Sequence, residues 1–332
     1  MNIAGLWQDL EAASASDEGT GYFRRRICDQ SPFDLNLAVE KPSNKRSLLF
    51  RVKTNSVDRA TKMPACTGFE LKLHTGPQDD GKHFTLCLSM SDAQFREVFT
   101  SLVGDIAQRI IGASNEREAV TRMMSRLHEW QIFFRRVSAD GLSDEAQRGL
   151  YGELVFLRSL ISEGLSGQLQ CWRGPAGANQ DFQFANCAIE VKVTVGLQDQ
   201  RLEVSNERQL DESGVASLFV QHQSLDVRAG GETLPAIIED IRTRLQPDFV
   251  ALEAFESRLI QAGYIDAHRH LYEERGYVHR ETNFFHVRDN FPRILESELR
   301  SGVGRVRYAI TVSQCKQYLI TQNEVMELIK KQ

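Results

Sequence analysis

The stretch 180–194 most constrains how this chain can fold, because it alternates apolar and polar residues in two halves around a short break. Alternation with period two is typical of β-strands, so the stretch predicts two strands joined by a tight turn. The apolar face of this hairpin consists of Phe182, Phe184, Ile189, Val191 and Val193. The polar face consists of Asp181, Gln183, Glu190 and Lys192. We therefore expect a core against the first face and a cluster of charged groups on the second.

The turn position decides which polar side chains meet. If residues 186–187 form a two-residue turn, Asp181 lies opposite Lys192 and Gln183 lies opposite Glu190. Directly opposed side chains have Cβ atoms about 4.5–5.5 Å apart, and diagonal neighbours are roughly 7–8 Å apart. The sequence thus predicts that two carboxylates and one ammonium group converge.

Asp181 and Glu190 have the chemistry of a site for a hard divalent cation. Mg²⁺ binds through one or two carboxylates together with waters and substrate phosphate oxygens, and we expect Mn²⁺ to be able to replace it. Such a cation activates water near neutral pH and stabilises charge on a phosphate. Lys192 would orient or deprotonate the attacking water, or hold the phosphate. Burial lowers a lysine pKa and nearby carboxylates raise it, so the sequence leaves the protonation state of Lys192 open.

An acidic residue two positions before a lysine is a weak signal by itself. With 26% of its residues charged, the chain is expected to contain several such triplets by chance. Glu70-Leu71-Lys72 and Asp80-Gly81-Lys82 are examples. Neither follows a strand that carries an aspartate at hairpin distance. We therefore expect both triplets to be solvated surface.

Glu153 is unusual because it interrupts an apolar stripe. We predict a helix over about 143–163, with Ser143 as its N-cap. At about 100° per residue, the leucines of this helix form one stripe, and Glu153 falls inside it. A buried, unpaired charge is costly, so Glu153 needs a cation, a bound water or an N–H donor. The alternative is that it extends to the surface or pairs with an arginine.

The patterns along the whole chain are typical of an α+β protein. Further strands are predicted near 48–52, 69–73, 84–88, 169–173, 201–205, 216–223, 277–288 and 304–313. Further helices are predicted near 91–112, 116–137, 232–245 and 250–262, and a short amphipathic tail is predicted at 322–330. We divide the chain into a β-rich N-terminal module with following helices (1–140), a central core (141–246) and a C-terminal extension (247–332).

Composition excludes several classes of protein. No stretch reaches the roughly 18 apolar residues of a membrane span, and residues 1–10 lack the features of a signal peptide, so we expect a cytoplasmic protein. The six cysteines are scattered without a CxxC pair, which argues against a disulfide framework or a zinc knuckle. The net charge of -5 gives no general attraction to phosphate. The phosphate-binding GxxxxGK[ST] motif and the GxSxG motif do not occur, so we expect neither ATP hydrolysis nor serine-hydrolase chemistry.

Several sequence strings together resemble one family. The strings are GLYGELVFL around Glu153, WRGP at 172–175, QDF at 180–182 and IEVKVT at 189–194, followed by LEVS at 202–205, QL at 209–210 and NFPRI at 290–294. They are similar to the PD-(D/E)XK-motif family of bacterial proteins, which are often encoded beside DNA methyltransferases and ATPases in restriction-like defence clusters. The similarity extends from about 140 to 313. One departure is Gln180, which stands where the named motif has proline.

This resemblance implies a restriction-endonuclease-like αβββαβ core and Mg²⁺-dependent nuclease activity. It places the metal-binding carboxylates at Asp181 and Glu190, the catalytic lysine at Lys192, and a supporting glutamate, which also serves the metal and catalysis, at Glu153. The implied function is a DNA endonuclease of a restriction-modification or anti-phage defence system. The alternative is a non-catalytic DNA-binding or scaffolding subunit that retains the nuclease fold. The implied partners are DNA, other subunits of such a system and a second copy of the chain.

Candidate DNA contacts lie outside the hairpin. Gln209 is similar in position to a glutamine that some branches of the superfamily place near the substrate, and the alternative is an exposed loop glutamine. The arginine-rich C-terminal stretch supplies the candidate phosphate contacts Arg288, Arg293, Arg305 and Arg307. Plain surface charge is the alternative for these arginines.

Overall fold

The computed structural model describes residues 2–15, 19–28, 30–57, 63–74, 81–137, 140–196 and 200–331. These residues divide into two compact units, Met1–Gly141 with Ile265–Ala267, and Leu142–Tyr264 with His268–Gln332. The predicted domain boundaries at 140–141 and 246–247 stay predictions. Within the described part of the chain, no helix is both long and apolar enough to cross a membrane.

The first unit combines an antiparallel sheet with helices. Its elements are α1 (Ile3–Ser14), β1 (Gly21–Arg26), β2 (Asp34–Lys41), β3 (Lys45–Lys53), β4 (Phe69–His74), β5 (His83–Met90), α2 (Arg96–Ile111) and α3 (Glu116–Arg136). The strands are ordered β1-β2-β3-β5-β4, and each neighbouring pair is antiparallel. The antiparallel sheet and the two helices that follow it confirm the pattern predicted for this part of the sequence.

The second unit carries the hairpin. Its helices are α4 (Asp144–Ser162), α5 (Leu234–Leu245), α6 (Phe249–Ala262) and α7 (Gln322–Lys330). Its strands are β6 (Phe182–Gln183), β7 (Ala188–Val195), β8 (Arg201–Val204), β9 (Leu218–Thr233), β10 (Gly276–Val287), β11 (Tyr308–Thr311) and β12 (Leu319–Ile320). A 3₁₀ helix, Glu207–Leu210, lies between β8 and β9.

One mixed sheet organises this unit in the order β12-β10-β9-β7-β6. Strands β6 and β7 are antiparallel, β7 and β9 are parallel, and β9 and β10 are antiparallel. The succession α4, β6, β7, β9, α5, β10 is the expected αβββαβ order, so the α+β fold class is confirmed. Strands β10 and β12 come from the predicted C-terminal extension and complete the sheet of the core.

The two faces of this sheet are covered differently. Helices α4, α5, α6 and α7 share one apolar cluster with Phe182, Ile189 and Val191. The opposite face packs Ala188 and Val220 against residues of β8 and β11, which form a two-stranded antiparallel ribbon. Because β6 is the edge strand, side chains from the helical layer and from the polar face of β7 meet there.

Two strand predictions were wrong in detail. Residues 166–171 form a 3₁₀ helix where a strand was expected near 169–173, and Trp172 makes only an isolated bridge to Phe182. The strand expected over 304–313 is limited to Tyr308–Thr311 and runs into a 3₁₀ helix, Val312–Tyr318. Short apolar runs fit both helical turns and strands, so periodicity alone does not distinguish them.

Candidate metal and catalytic site

The hairpin that contains the motif turns one residue earlier than predicted. The Phe184 N–H donates to the Cys187 carbonyl across 2.8 Å, which leaves residues 185–186 at the turn. Phe182 therefore pairs with Ile189, and continuing this register brings Asp181 level with Glu190 instead of Lys192. The predicted cross-strand pairs are wrong by two residues. The predicted faces are right, because a slip of two residues preserves the side of the sheet.

Asp181 is fixed by both its side chain and its backbone. Its Oδ2 accepts the Val191 N–H across 2.8 Å. Its carbonyl oxygen accepts the N–H groups of Arg173 and Gly174 across 2.7 and 2.9 Å. Burial raises the pKa of Asp181, and the Val191 N–H and the charge of Lys192 oppose that rise. The backbone of 173–174 thus fixes the main chain of Asp181, and the middle of β7 fixes its carboxylate.

Glu190 is the most deeply buried carboxylate of the site. Its side chain is 2% exposed, and its Oε1 pairs with the Lys192 Nζ at 2.8 Å. Its Oε2 is buried and has no hydrogen-bond partner among the described residues. Burial, and then the neighbouring Asp181, raise the pKa of Glu190 to about 8. A buried acceptor without a partner is costly, so this oxygen favours an additional donor or a cation.

Lys192 links Glu190 to the 3₁₀ helix Glu207–Leu210. Its Nζ lies 2.8 Å from Glu190 Oε1 and donates to Gln209 Oε1 across 3.0 Å. Burial lowers the pKa of Lys192, but the carboxylates of Glu190, Asp181 and Glu153 outweigh this effect and raise it above its ordinary value. The sequence left this protonation state open. The raised pKa favours the ammonium form of Lys192.

Helix α4 brings Glu153 to the edge of the sheet. Gly152 makes the close approach possible, because a Cβ at this position would lie only 2.2 Å from the Val193 Cγ2. The Gly152 carbonyl also accepts the Gln223 amide across 2.9 Å. The half-buried Glu153 then accepts the Trp172 indole N–H at its Oε2 across 2.6 Å. Of the partners expected for Glu153 within its apolar stripe, the structure supplies an N–H donor, the Trp172 indole.

Gly174 leaves a space that two carboxylates share. A Cβ on Gly174 would lie 2.8 Å from Asp181 Oδ1 and 2.9 Å from Glu153 Oε2. Such separations are shorter than real Cβ contacts, so any side chain here would displace one of the carboxylates. Both oxygens lie within 3 Å of one point. The Asp181 and Glu153 carboxylates thus approach each other over the glycine.

The donor set fits a hard divalent cation in part. Asp181 just before β6 and Glu190 on the neighbouring β7 supply carboxylate oxygens, and Glu190 Oε2 is an acceptor that remains to be satisfied. Within the described ranges, no group of three His, Cys, Asp or Glu side chains is arranged as a metal-ligand set. Two carboxylates completed by water and phosphate oxygens are sufficient for Mg²⁺. Glu153 is bound to Trp172 and lies on the Asp181 side.

The candidate DNA contacts differ in exposure. Arg293 has a side chain only 6% exposed, pairs with Glu212 and donates to the Leu210 carbonyl, so it serves an internal ion pair. Arg288, Arg305 and Arg307 are exposed.

The loop that carries Arg305 and Arg307 is tied to the site. The buried Glu207 accepts the backbone N–H groups of Arg305 and Val306 across 3.3 and 2.9 Å. Glu207 opens the same 3₁₀ helix that ends with Gln209 and Leu210. The two arginines are therefore presented beside the segment that holds Lys192.

The two other acidic-lysine triplets have different outcomes. Glu70 and Lys72 form an ion pair at 2.8 Å, with side chains 45% and 59% exposed, on an edge strand of the first unit. The solvated surface expected for this triplet is confirmed. Asp80 lies outside the described residues, so the expectation for 80–82 stays a prediction.

Sequence reasoning assigned no role to Trp172, Gly174 or Gln180. Trp172 and Gly174 were recognised only as part of the WRGP string, and their contacts with Glu153 and Asp181 depend on the path of the chain between α4 and β6. Gln180 was noted only as a departure from proline. The available signal was its place beside Asp181, and it is 5% exposed.

Comparison with known proteins gives one match. A family model described as "Putative PD-(D/E)XK family member, (DUF4420)" matches residues 3–313. No curated protein and no solved structure matches the chain. The family match covers both compact units and extends well beyond the hairpin.

Proposed function

Because the chain belongs to the DUF4420 family of PD-(D/E)XK proteins, we propose that it is a Mg²⁺-dependent endonuclease that hydrolyses phosphodiester bonds in DNA. The observation that carries this proposal is the buried Oε2 of Glu190, which lies beside Asp181 and Lys192 and has no hydrogen-bond partner in the described part of the chain. Leaving this oxygen unpaired costs about 1–3 kcal/mol, which a purely structural ion pair would not offset. A bound cation would satisfy the oxygen and offset that cost.

The residues divide the work by their contacts. Asp181 and Glu190 would hold the cation, and Glu153 would support it from the Asp181 side. Bound there, Mg²⁺ would activate water and neutralise charge on the scissile phosphate. Lys192 would orient the attacking water or hold a phosphate oxygen, because its ammonium group already lies 2.8 Å from Glu190. Trp172 would fix the orientation of Glu153 through its indole N–H.

DNA binding is the second part of the proposal. Arg305 and Arg307 would contact backbone phosphates from the loop that Glu207 ties to the site, and the exposed Arg288 would add a third contact. The net charge of -5 means that such contacts must be local. We further propose that the chain acts in the cytoplasm with other subunits of a restriction or anti-phage system, and as two copies for double-strand cleavage.

Two substitutions test the nuclease assignment. Asp181→Ala and Glu190→Ala should each lower Mg²⁺-dependent DNA cleavage by about a thousandfold, because each removes a ligand worth several kcal/mol of charge stabilisation. Binding of DNA in Ca²⁺ should persist. Glu70→Ala is the matched control, since Glu70 belongs to an acidic-lysine triplet outside the site, and it should cut normally.

The assay should include the proteins encoded beside this chain, because a subunit can be silent alone. Equal DNA cleavage or equal phage restriction by the complete system with Asp181→Ala and Glu190→Ala would overturn the nuclease assignment. In that case the scaffolding alternative would stand.

A further inference from the structure

Two glutamines, Gln180 and Gln209, connect the chain just before Asp181 with the ammonium group of Lys192, and a third glutamine, Gln183, orients Gln180. Gln180, which stands in the place of the motif proline, is 5% exposed, and its amide nitrogen donates to the carbonyls of Arg208 and Gln209 across 3.0 and 3.4 Å. The Gln183 amide donates to Gln180 Oε1 across 3.0 Å. The orientation of the buried Gln180 amide is thus fixed at both ends.

Gln209 carries this connection to Lys192. Its Oε1 accepts the Ser205 N–H across 2.9 Å and the Lys192 Nζ across 3.0 Å. A backbone N–H can only donate, so the Ser205 contact establishes that the oxygen of the Gln209 amide, and not its nitrogen, faces Lys192. Gln209 is half-buried and belongs to the 3₁₀ helix Glu207–Leu210, whose backbone Gln180 anchors.

We infer that Gln180 and Gln209 are positioning residues that hold the Lys192 ammonium group at the site. We call these two residues the glutamine bracket. This inference rests on the proposed function and deepens it. Among the described residues, Lys192 has two side-chain partners, Glu190 and Gln209. When a cation occupies the Glu190 carboxylate, Gln209 keeps Lys192 in place. Gln180 acts at a distance, because it holds the helix that carries Gln209.

The bracket also explains the departure from the named motif. A proline before Asp181 would fix the backbone but could not donate a hydrogen bond to 208–209. Glutamine at 180 gives up that rigidity and instead couples the strand of Asp181 to the segment that holds Lys192. The carboxylate and the ammonium group are thereby positioned by one connected set of hydrogen bonds.

Methionine replacements test the bracket, since methionine matches the length of glutamine without a strong acceptor. Gln209→Met and Gln180→Met should each lower kcat for DNA cleavage by about ten- to a hundredfold through misplacement of Lys192, with KM for DNA and Mn²⁺ affinity unchanged. The double variant should be about as slow as the slower single variant, because both residues act through one contact. Gln209→Glu keeps an acceptor oxygen for Lys192 and should have a kcat close to that of the wild type.

The matched control is Gln200→Met. Gln200 is a half-buried glutamine of the same unit whose amide binds Ser224 Oγ at 2.7 Å, and its replacement should leave kcat unchanged. A second readout is independent of cleavage. Reductive methylation of Lys192, followed by mass spectrometry of Mn²⁺-loaded protein, should be faster in Gln209→Met and Gln180→Met than in the wild type or in Gln200→Met.

The outcomes separate the bracket from a direct DNA contact. Weakened DNA binding with normal kcat in Gln209→Met, and weaker binding still in Gln209→Glu, would overturn the bracket in favour of a DNA contact. If Gln209→Met does not fold, DNA binding by Gln209→Glu decides: normal binding supports the bracket, and weakened binding supports a direct DNA contact. If the wild-type system does not cut DNA, the proposed function fails, and unchanged Lys192 labelling in the variants would separately reject the bracket.

Discussion

The Trp172 indole N–H donates to the Glu153 carboxylate across 2.6 Å and joins the entry to β6 with the middle of α4. Trp172 is fully buried, and its ring stacks on Phe182 with centroids 6.5 Å apart. The half-buried Glu153 carboxylate is thus oriented in part by the indole of a fully buried core residue. The indole therefore links packing of the core to the geometry of the carboxylates.

Trp172→Phe tests this link. The ring is largely kept and the N–H is lost, so we expect a loss of about 1.5–3 kcal/mol in unfolding free energy, the value of a hydrogen bond to a charged group. We also expect cleavage to fall by about ten- to a hundredfold, as is typical when a residue that orients a metal-site carboxylate is removed. Urea unfolding and steady-state kinetics measure the two effects.

Trp130→Phe is the matched control for this change. Trp130 is also buried and donates its indole N–H to an aspartate, Asp105 Oδ2, across 2.8 Å in the first unit. Its replacement should lower stability by a similar amount and leave kcat unaltered. An equal fall of activity in both variants would show that lost stability alone explains the effect of Trp172→Phe.

Gly174→Ala tests the space shared by two carboxylates. The new methyl group would lie less than 3 Å from Asp181 Oδ1 and Glu153 Oε2 and must push one of them away. We expect Mn²⁺ affinity, measured by electron paramagnetic resonance, to fall by about tenfold or more. Gly167→Ala is the control, because a Cβ there meets no described heavy atom within 4 Å. Unchanged affinity in Gly174→Ala would place the cation elsewhere.

The raised pKa of Glu190 predicts that metal binding releases a proton. Because burial and Asp181 raise this pKa to about 8, the metal-free side chain takes up a proton as the pH falls below that value. Mn²⁺ affinity should then increase by about tenfold per pH unit between pH 6 and 8 and level off above that, since one proton is displaced. Calorimetry in buffers of different ionisation enthalpy counts the proton. His222, whose pKa burial lowers to about 4, stays neutral in this range and does not supply the slope.

The same shift predicts how metal-free stability depends on pH. The folded-state pKa of Glu190 lies above its ordinary value of 4.5, so the fold favours the protonated form. The contribution of Glu190 to the free energy of unfolding is therefore fully present below about pH 4.5 and is lost as the pH rises towards 8. Thermal unfolding of Glu190→Gln should show a smaller decline over this range than the wild type. A parallel decline in both proteins would assign the effect to other groups.

Arg305→Ala combined with Arg307→Ala tests the proposed phosphate contacts. Each phosphate contact adds about one unit to the slope of log affinity against log salt, so the double variant should flatten that slope by roughly two units. Fluorescence anisotropy with duplex DNA over a series of salt concentrations gives the slope. Arg228→Ala combined with Arg244→Ala changes the net charge equally at exposed arginines paired with acids, and should leave the slope unchanged.

Local sequence determined which residues face the site. The alternation over 180–194 placed Glu190 and Lys192 on the other face of the sheet from the apolar Phe182. In the structure Phe182 shares the apolar core with α4. Period-two alternation depends only on the backbone geometry of consecutive residues, so it can be read without knowing the fold. The position of Glu153 inside an apolar stripe has the same origin, since helical periodicity is equally local.

Tertiary structure decided which of these groups touch. The turn shifted by one residue because Phe184 pairs with Cys187, which exchanged the expected partner of Asp181 from Lys192 to Glu190. The contacts of Trp172 with Glu153 and of Gln209 with Lys192 join residues 19 and 17 positions apart. Such contacts depend on how loops and 3₁₀ helices pack against the finished sheet, and short-range periodicity holds no information about that packing.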